Sequence, residues 1–161
     1  MSRTPALSRD ETLARLMNAM QEASGLSVLH STEMARRLGI NSTDLECLDL
    51  ITRAGEMSPT ALAQATGVTT GAITGVLDRL ERAGFVKRGA AEGDRRRLVI
   101  RPVPEAVRKA SALGEPMARA ITGRLAAFDD RKLALLLEMV GQANDAARSA
   151  IAELASSPKK P

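Results

Sequence analysis

The chain holds one cysteine, Cys47, and one histidine, His30. A lone thiol permits no intrachain disulfide and makes a cysteine-based zinc site implausible, which fits a reducing cytoplasm. A single imidazole leaves general acid–base catalysis with few candidates. The sequence has no metal-ligand cluster, no glycine loop of the phosphate-cradling kind and no nucleophile with a base close by in sequence. It therefore points to no enzyme, no metal and no cofactor. Phe85 and Phe128 are its only aromatic residues, so it lacks the platforms on which single-stranded bases stack. What remains is cationic chemistry. Residues 79–101 carry Arg79, Arg82, Lys87, Arg88, Arg95, Arg96, Arg97 and Arg101 against Glu81, Glu92 and Asp94, an excess of five, where the whole chain carries +4. The basicity is concentrated there and the rest is near neutral, which favours an anionic partner met by this segment.

Immediately before it lies a helix expected over Thr70–Ala83. Ile73, Val76, Leu77 and Leu80 share one face and anchor it to a core. Gly71, Thr74, Gly75, Asp78 and Arg82 share the opposite face, bare of bulk at its start. Such a tip can approach a major groove closely. Thr methyls can meet thymine methyls, Thr hydroxyls can meet base edges, and the free N–H groups at the helix start favour phosphate. Each glycine costs about 1 kcal/mol against Ala in a helix, so two on the exposed face argue for a close approach. We read Thr69, Thr70, Gly71, Thr74, Gly75, Arg79, Arg82, Lys87, Arg88, Asp94, Arg95, Arg96 and Arg97 as DNA-binding residues.

Several elements must position these groups. Ser8 with Glu11 forms a capping box that opens a helix running to about Leu38, with Gly39 as its stop and its apolar stripe interrupted, as at a kink, near Gly25. Thr43 with Glu46 is a second capping box, before a short helix ending at Gly55. Ser58-Pro59 starts a two-turn helix that stops at Gly67. Thr69 or Thr70 caps the next, with Gly84 as its end. The periodicity then changes: 85–88 and 97–101 read as strands, with the stretch between them as a hairpin loop. Pro104 opens a helix whose apolar residues recur from Ala106 to Phe128, bent at Pro116. Asp129 or Asp130 caps a last helix whose apolar face includes Leu133, Leu136, Leu137, Val140, Ile151 and Leu154. Residues 156–161 read as a disordered tail. The fold class is mainly α: a winged helix-turn-helix with long N- and C-terminal dimerisation helices. The divisions are 1–42 for N-terminal dimerisation, 43–103 for the DNA-binding lobe and 104–161 for C-terminal dimerisation, as one compact domain. The long helices carry more apolar surface than a small winged module covers, so a second copy is expected on it. The N-terminus lacks the apolar run of a signal peptide and no stretch approaches spanning length, so a cytoplasmic protein with no membrane partner is expected.

The segment T-T-G-A-I-T-G-V-L-D-R-L-E-R-A-G-F-V (69–86) and the motif D-R-R-R-L-V (94–99) resemble the recognition helix and the Asp-x-Arg wing motif of the multiple-antibiotic-resistance regulator (MarR) family. The order of elements fits that family over almost the whole chain. The resemblance implies a homodimeric regulator, a repressor or sometimes an activator, that binds palindromic double-stranded DNA and is often released by an anionic or phenolic effector or an oxidant. It implies that Asp94 and Arg96 shape the wing, that Arg95 or its neighbours enter the minor groove, and that residues 70–75 face the major groove. Many relatives carry Arg or Lys near Gly75. This chain does not, which shifts weight from guanine readout to Thr contacts and DNA shape. It also departs at Ala91, where the family usually has an acid, and at Val103, where it usually has Thr or Ser.

Family effector pockets lie between the dimerisation helices and the DNA-binding lobe. Met20, His30, Met34 and Met57 are the candidate pocket residues, with core or interface packing as the plainer role for each. Cys47 beside Leu48 reads as a buried thiol packing as a small hydrophobe, with a redox switch as the alternative. The competing readings of the whole are a winged-helix protein-interaction module and a DNA-binding regulator without ligand response.

Overall fold

A computed structural model describes residues 7–156, the side chains of Arg95, Ala155 and Ser156 excepted. The order is α1 (Arg9–Leu38), α2 (Ser42–Ala54), α3 (Pro59–Thr66), α4 (Thr70–Arg82), β1 (Val86–Ala91), β2 (Asp94–Pro102), α5 (Pro104–Leu125) and α6 (Asp130–Ser156). The chain divides into two compact units, Met1–Gly114 and Glu115–Pro161. Among the described residues, no helix is long and apolar enough to cross a membrane.

In the first unit, α1 begins as its capping box requires. Ser8 Oγ accepts from the Glu11 N–H at 3.2 Å, and Glu11 accepts from the Ser8 N–H at 2.8 Å. The helix runs unbroken through Gly25 and ends at Gly39, whose φ of 72° favours glycine. The capping box expected from Thr43 and Glu46 does not form. Asn41 caps α2 instead, its Oδ1 accepting from the Asp44 N–H at 2.8 Å, and Thr43 falls inside the first turn. Asn is among the strongest N-caps and sits where the chain leaves the Gly39 turn. Helix α3 opens on Ser58 with Pro59 as its first residue and stops at Gly67. Helix α4 is capped by Thr69, so Thr70 is its first helical residue.

These three helices are short, and tertiary burial rather than propensity holds them. Cys47, Leu48 and Ile51 from α2, Leu62 from α3, and Ile73, Val76, Leu77 and Leu80 from α4 close one core with Phe85, Val86 and Ile100. Burying each large aliphatic side chain contributes about 1.5–3 kcal/mol.

The hairpin is longer than the sequence patterning indicated. The stretch expected as a loop, G-A-A-E-G-D-R-R, is mostly strand: β1 continues to Ala91, β2 starts at Asp94, and only Glu92-Gly93 turns. Gly93 takes φ 80°, which permits so tight a return. Pairing shifts between Ala90↔Leu98 and Ala91↔Asp94, so Arg95, Arg96 and Arg97 stand in a bulge of β2. The bulge breaks the alternation by which strands are recognised in sequence. A further rung, Met57 with Ile100, ties the residues before α3 to β2 through N–H···O bonds of 3.0 and 2.8 Å.

In the second unit, Pro116 lies inside α5 without ending it. The helix stops at Leu125, so Phe128 does not continue its stripe; it lies in the following turn, its N–H donating to the Leu125 carbonyl at 3.0 Å. Asp129 caps α6, accepting from the Lys132 N–H at 2.9 Å. Residue 156 is the last of α6, and 157–161, the rest of the expected tail, lie outside the described residues, as do residues 1–6, on which the expectation of no signal peptide rests.

Candidate nucleic-acid interface

Helix α4 is the most strongly amphipathic element of the lobe. Its apolar positions Ile73, Val76, Leu77 and Leu80 are buried, while Thr69, Thr70, Gly71, Thr74, Asp78 and Arg82 are exposed and Gly75 is half-buried. A methyl group added at Gly71 would meet nothing within 4 Å, and one at Gly75 would meet only Arg79 Nη1 at 3.5 Å, an ordinary contact. Packing within the subunit thus requires neither glycine, although the one at Gly75 costs helix stability. Thr74, exposed at the same end, donates its hydroxyl proton to the Thr70 carbonyl at 3.2 Å, which leaves the oxygen's lone pairs for an outside donor.

The wing is shaped by a backbone contact. Asp94 Oδ1 accepts from the Arg96 N–H at 2.9 Å and so closes the bulge that carries the arginines. The partner of Asp94 is thus the main chain of Arg96, and the Arg96 guanidinium is left to solvent. Arg97 and Lys87 are exposed too; the Arg95 side chain lies outside the described residues. Among the described residues, no carboxylate lies within ion-pair distance of Arg82, Lys87, Arg96 or Arg97.

Three other bases of the cluster are engaged within the lobe. Arg88 from β1 reaches back to α4, where it pairs with Asp78 and Glu81, and its N–H also donates to Glu81. Because Asp78 belongs to the exposed face of α4, this clamp sets the base of the wing beside that face. Arg101 pairs with Glu56 at 2.7 Å. Arg79 forks onto Asp44 of α2: Nη2 to Oδ1 is 2.6 Å, Nε to Oδ2 3.0 Å and Nε to Oδ1 3.2 Å. The hydrogen bond to Asp44 raises the Arg79 guanidinium above its already high range.

The sequence reading missed Asp44, yet a signal was present. Asp44 is in phase with Cys47, Leu48 and Ile51, at helical steps of three and four, so an acid occupies the buried stripe of α2. A carboxylate there requires a cation. The long sequence separation hid which of eight bases supplies it.

Of the four candidate pocket residues, the structure brings His30 and Met34 together. They line a recess of about 180 Å³ with Glu33, Arg37 and Leu113. Glu33 accepts from both Arg36 and Arg37, which lowers its carboxyl to about 2. Met34 also faces a recess of about 120 Å³ whose walls are mainly Leu45, Leu48, Val107 and Ala110, with Asp49, Thr52 and Ser111 at its polar edge. Met20 lies on α1 well before His30, about 15 Å along the axis. Met57 is held at the hairpin rung and packs against the lobe core. Cys47 is fully buried, and burial, followed by the Asp44 carboxylate, pushes its thiol up to about 11. Groups of His, Cys, Asp and Glu able to hold a metal do not occur among the described residues.

Three short helices, a hairpin with an exposed arginine bulge and a smooth helix tip define a winged helix-turn-helix protein. A family model described as the MarR family matches residues 40–98. The HTH-type transcriptional regulator YcgE of Bacillus subtilis (strain 168) is 32% identical over 138 residues, covering 86% of this chain and 90% of that protein. The chain belongs to the MarR family, a family of transcriptional regulators and not of enzymes. Its fold is shared with a MarR family protein from Bacillus stearothermophilus (TM-score 0.66, 18% identity, 88% of this chain and 99% of that chain). It is shared equally with Streptococcus pneumoniae FabT, solved in complex with DNA (TM-score 0.67, 16% identity, 86% and 99%).

Proposed function

We propose that the protein is a cytoplasmic homodimeric repressor that binds palindromic duplex DNA through residues 43–103 and dimerises through 1–42 and 104–161. The carrying observation is the pair of glycines on the open face of α4, unneeded by packing and set beside the wing by the Arg88 clamp. In this reading Thr70, Gly71, Thr74 and Gly75 enter the major groove, while Arg96 and Arg97 meet the minor groove and Lys87 and Arg82 meet phosphates. Arg88 serves as the strut of the wing. The exposed apolar side chains of Leu16, Met17 and Leu29 in one unit, and of Leu137, Ile151 and Leu154 in the other, support coverage by a second copy.

Affinity for duplex DNA measured against salt tests this. Each Arg82→Ala or Lys87→Ala substitution should remove one phosphate contact per half-site, and so lower the slope of log K against log salt by about 2 for a dimer. A wild-type slope near zero would point instead to a protein-interaction module. Thr74→Ala should weaken a selected site more than random duplex; equal loss on both would remove α4 as the reader.

For release, we propose that the recess at Met34 takes an aromatic acid or phenol. A void of about 120 Å³ with mainly aliphatic walls suits one aromatic ring. A panel of hydroxybenzoates should release the operator complex, and Ala110→Phe, which fills the recess, should abolish the response. Release that persists in that variant would place the effector elsewhere.

A further inference from the structure

We propose that Arg79, held in place by the buried carboxylate of Asp44, is a guanine-reading residue of α4, and that Asp44 is its positioning residue. The inference rests on the reading above that α4 enters the major groove.

The argument starts with Asp44. It is only 1% exposed, and both of its oxygens are engaged by Arg79. A carboxylate so buried needs a fixed cation, and a forked pairing fixes the guanidinium in plane as well as in place. The guanidinium has five N–H donors. Asp44 takes the side edge, Nε and one N–H of Nη2. The end edge, Nη1 with the other N–H of Nη2, is unspent: among the described residues Nη1 donates to no acceptor. The Arg79 side chain keeps 45% of its surface open.

The position of that edge matters as much as its freedom. Side chains on a helix lean toward its N-terminus, over the residue four earlier. Here Nη1 stands 3.5 Å from where a Cβ at Gly75 would be. The donor pair therefore lies over the bare part of the reading face, one turn nearer the tip than its own backbone. Asp78, the acid on that face, is neutralised by Arg88 and so does not compete for it. The end edge of a guanidinium matches O6 and N7 of guanine, the commonest specific contact in the major groove. An arginine already ordered by Asp44 loses little rotamer freedom on making that contact. The absence of Arg or Lys at position 75 had argued against guanine readout by this helix. Arg79 supplies the missing group, its Nη1 standing beside the place where a side chain at 75 would begin. Were the pair only a strut between α2 and α4, its loss would weaken binding to all sequences alike.

The test begins with wild-type protein and duplexes selected from a pool of genomic fragments. In each half-site, every guanine is replaced in turn by 7-deazaguanine, which lacks the N7 acceptor. One position should lose about tenfold in affinity, the worth of one charge-assisted hydrogen bond. Arg79→Lys keeps a cation for Asp44 but loses the fork, and Asp44→Asn loosens the plane. In both variants, checked by melting curves, the deazaguanine penalty at that position should fall below about twofold and guanine should no longer be selected there. A wild-type scan with no sensitive guanine overturns the inference without any variant. So does a folded Arg79→Lys protein that selects the same base with the same penalty. If wild-type protein shows no sequence preference, the groove-entering reading of α4 falls and this inference with it. Clear preference that is indifferent to Arg79 sinks the inference alone.

Discussion

Individual side chains carry two opposite kinds of consequence in this lobe. Asp44 and Cys47 lie one turn apart on the buried stripe of α2, and neither was legible in full from sequence. Cys47 could be read as buried because it stands beside Leu48 within a short helix. Its thiol, raised to about 11, should be roughly a thousandth ionised at pH 8 and should resist thiol reagents in the native state. Labelling that keeps pace with a free thiol at pH 8 would contradict this. Asp44 was harder to read, because pairing across the fold has no local pattern. Removing its partner should cost more than removing both. Arg79→Ala leaves a buried carboxylate unpaired, whereas the double variant with Asp44→Ala leaves none. Melting temperatures should therefore rank Arg79→Ala below the double variant, and the reverse order would mean that Asp44 is solvated.

Among the elements, the helices were the readable part. Ser8, Ser58 and Thr69 cap where their types require, and Gly39, Gly55, Gly67 and Gly84 stop the chain with positive φ. Asn41 displaced the expected cap of α2 because three good capping types, Asn41, Ser42 and Thr43, stand in a row and spacing could not choose among them. The hairpin was legible only as a hairpin. Its bulge removes the period of two that marks strands, and a single Met57 rung leaves no periodic trace. Helix α4 offers a trade-off that can be measured. Gly75→Ala should raise stability by about 0.5–1 kcal/mol, since alanine favours helix and meets only an ordinary contact. The same change should weaken operator binding, because the methyl stands where the groove must approach. A variant with raised melting temperature and undiminished affinity would remove the close-approach argument.

For the whole molecule, the exposed aliphatic rows of α1 and α6 carry the assembly reading. Leu137 is 76% exposed and Leu29 68%. Leu137→Glu should shift sedimentation equilibrium toward monomer at micromolar protein while the circular dichroism of the lobe persists. A mass unchanged from wild type would exclude Leu137 from the contact. The sequence signalled this surplus of apolar surface, because a chain whose stripes outnumber what a small lobe can cover must place them somewhere. What covers them was beyond its reach, as partner contacts leave no intrachain pattern.

The rung between Met57 and Ile100 bears on how the arm behaves once loaded. Its paired bonds clamp the root of the hairpin to the helix-turn-helix, and the regular ladder above it stiffens the strands as far as Ala90 and Leu98. Beyond that point the strands fall out of step, so bending of the outer arm should be concentrated near its tip, as in a cantilever notched at its end. Cations carried there can follow a minor groove that widens or narrows along the duplex while the root keeps its bearing on α4. Nuclear spin relaxation along the backbone would show the change in stiffness as a step at Ala90 rather than a gradual slope from Val86.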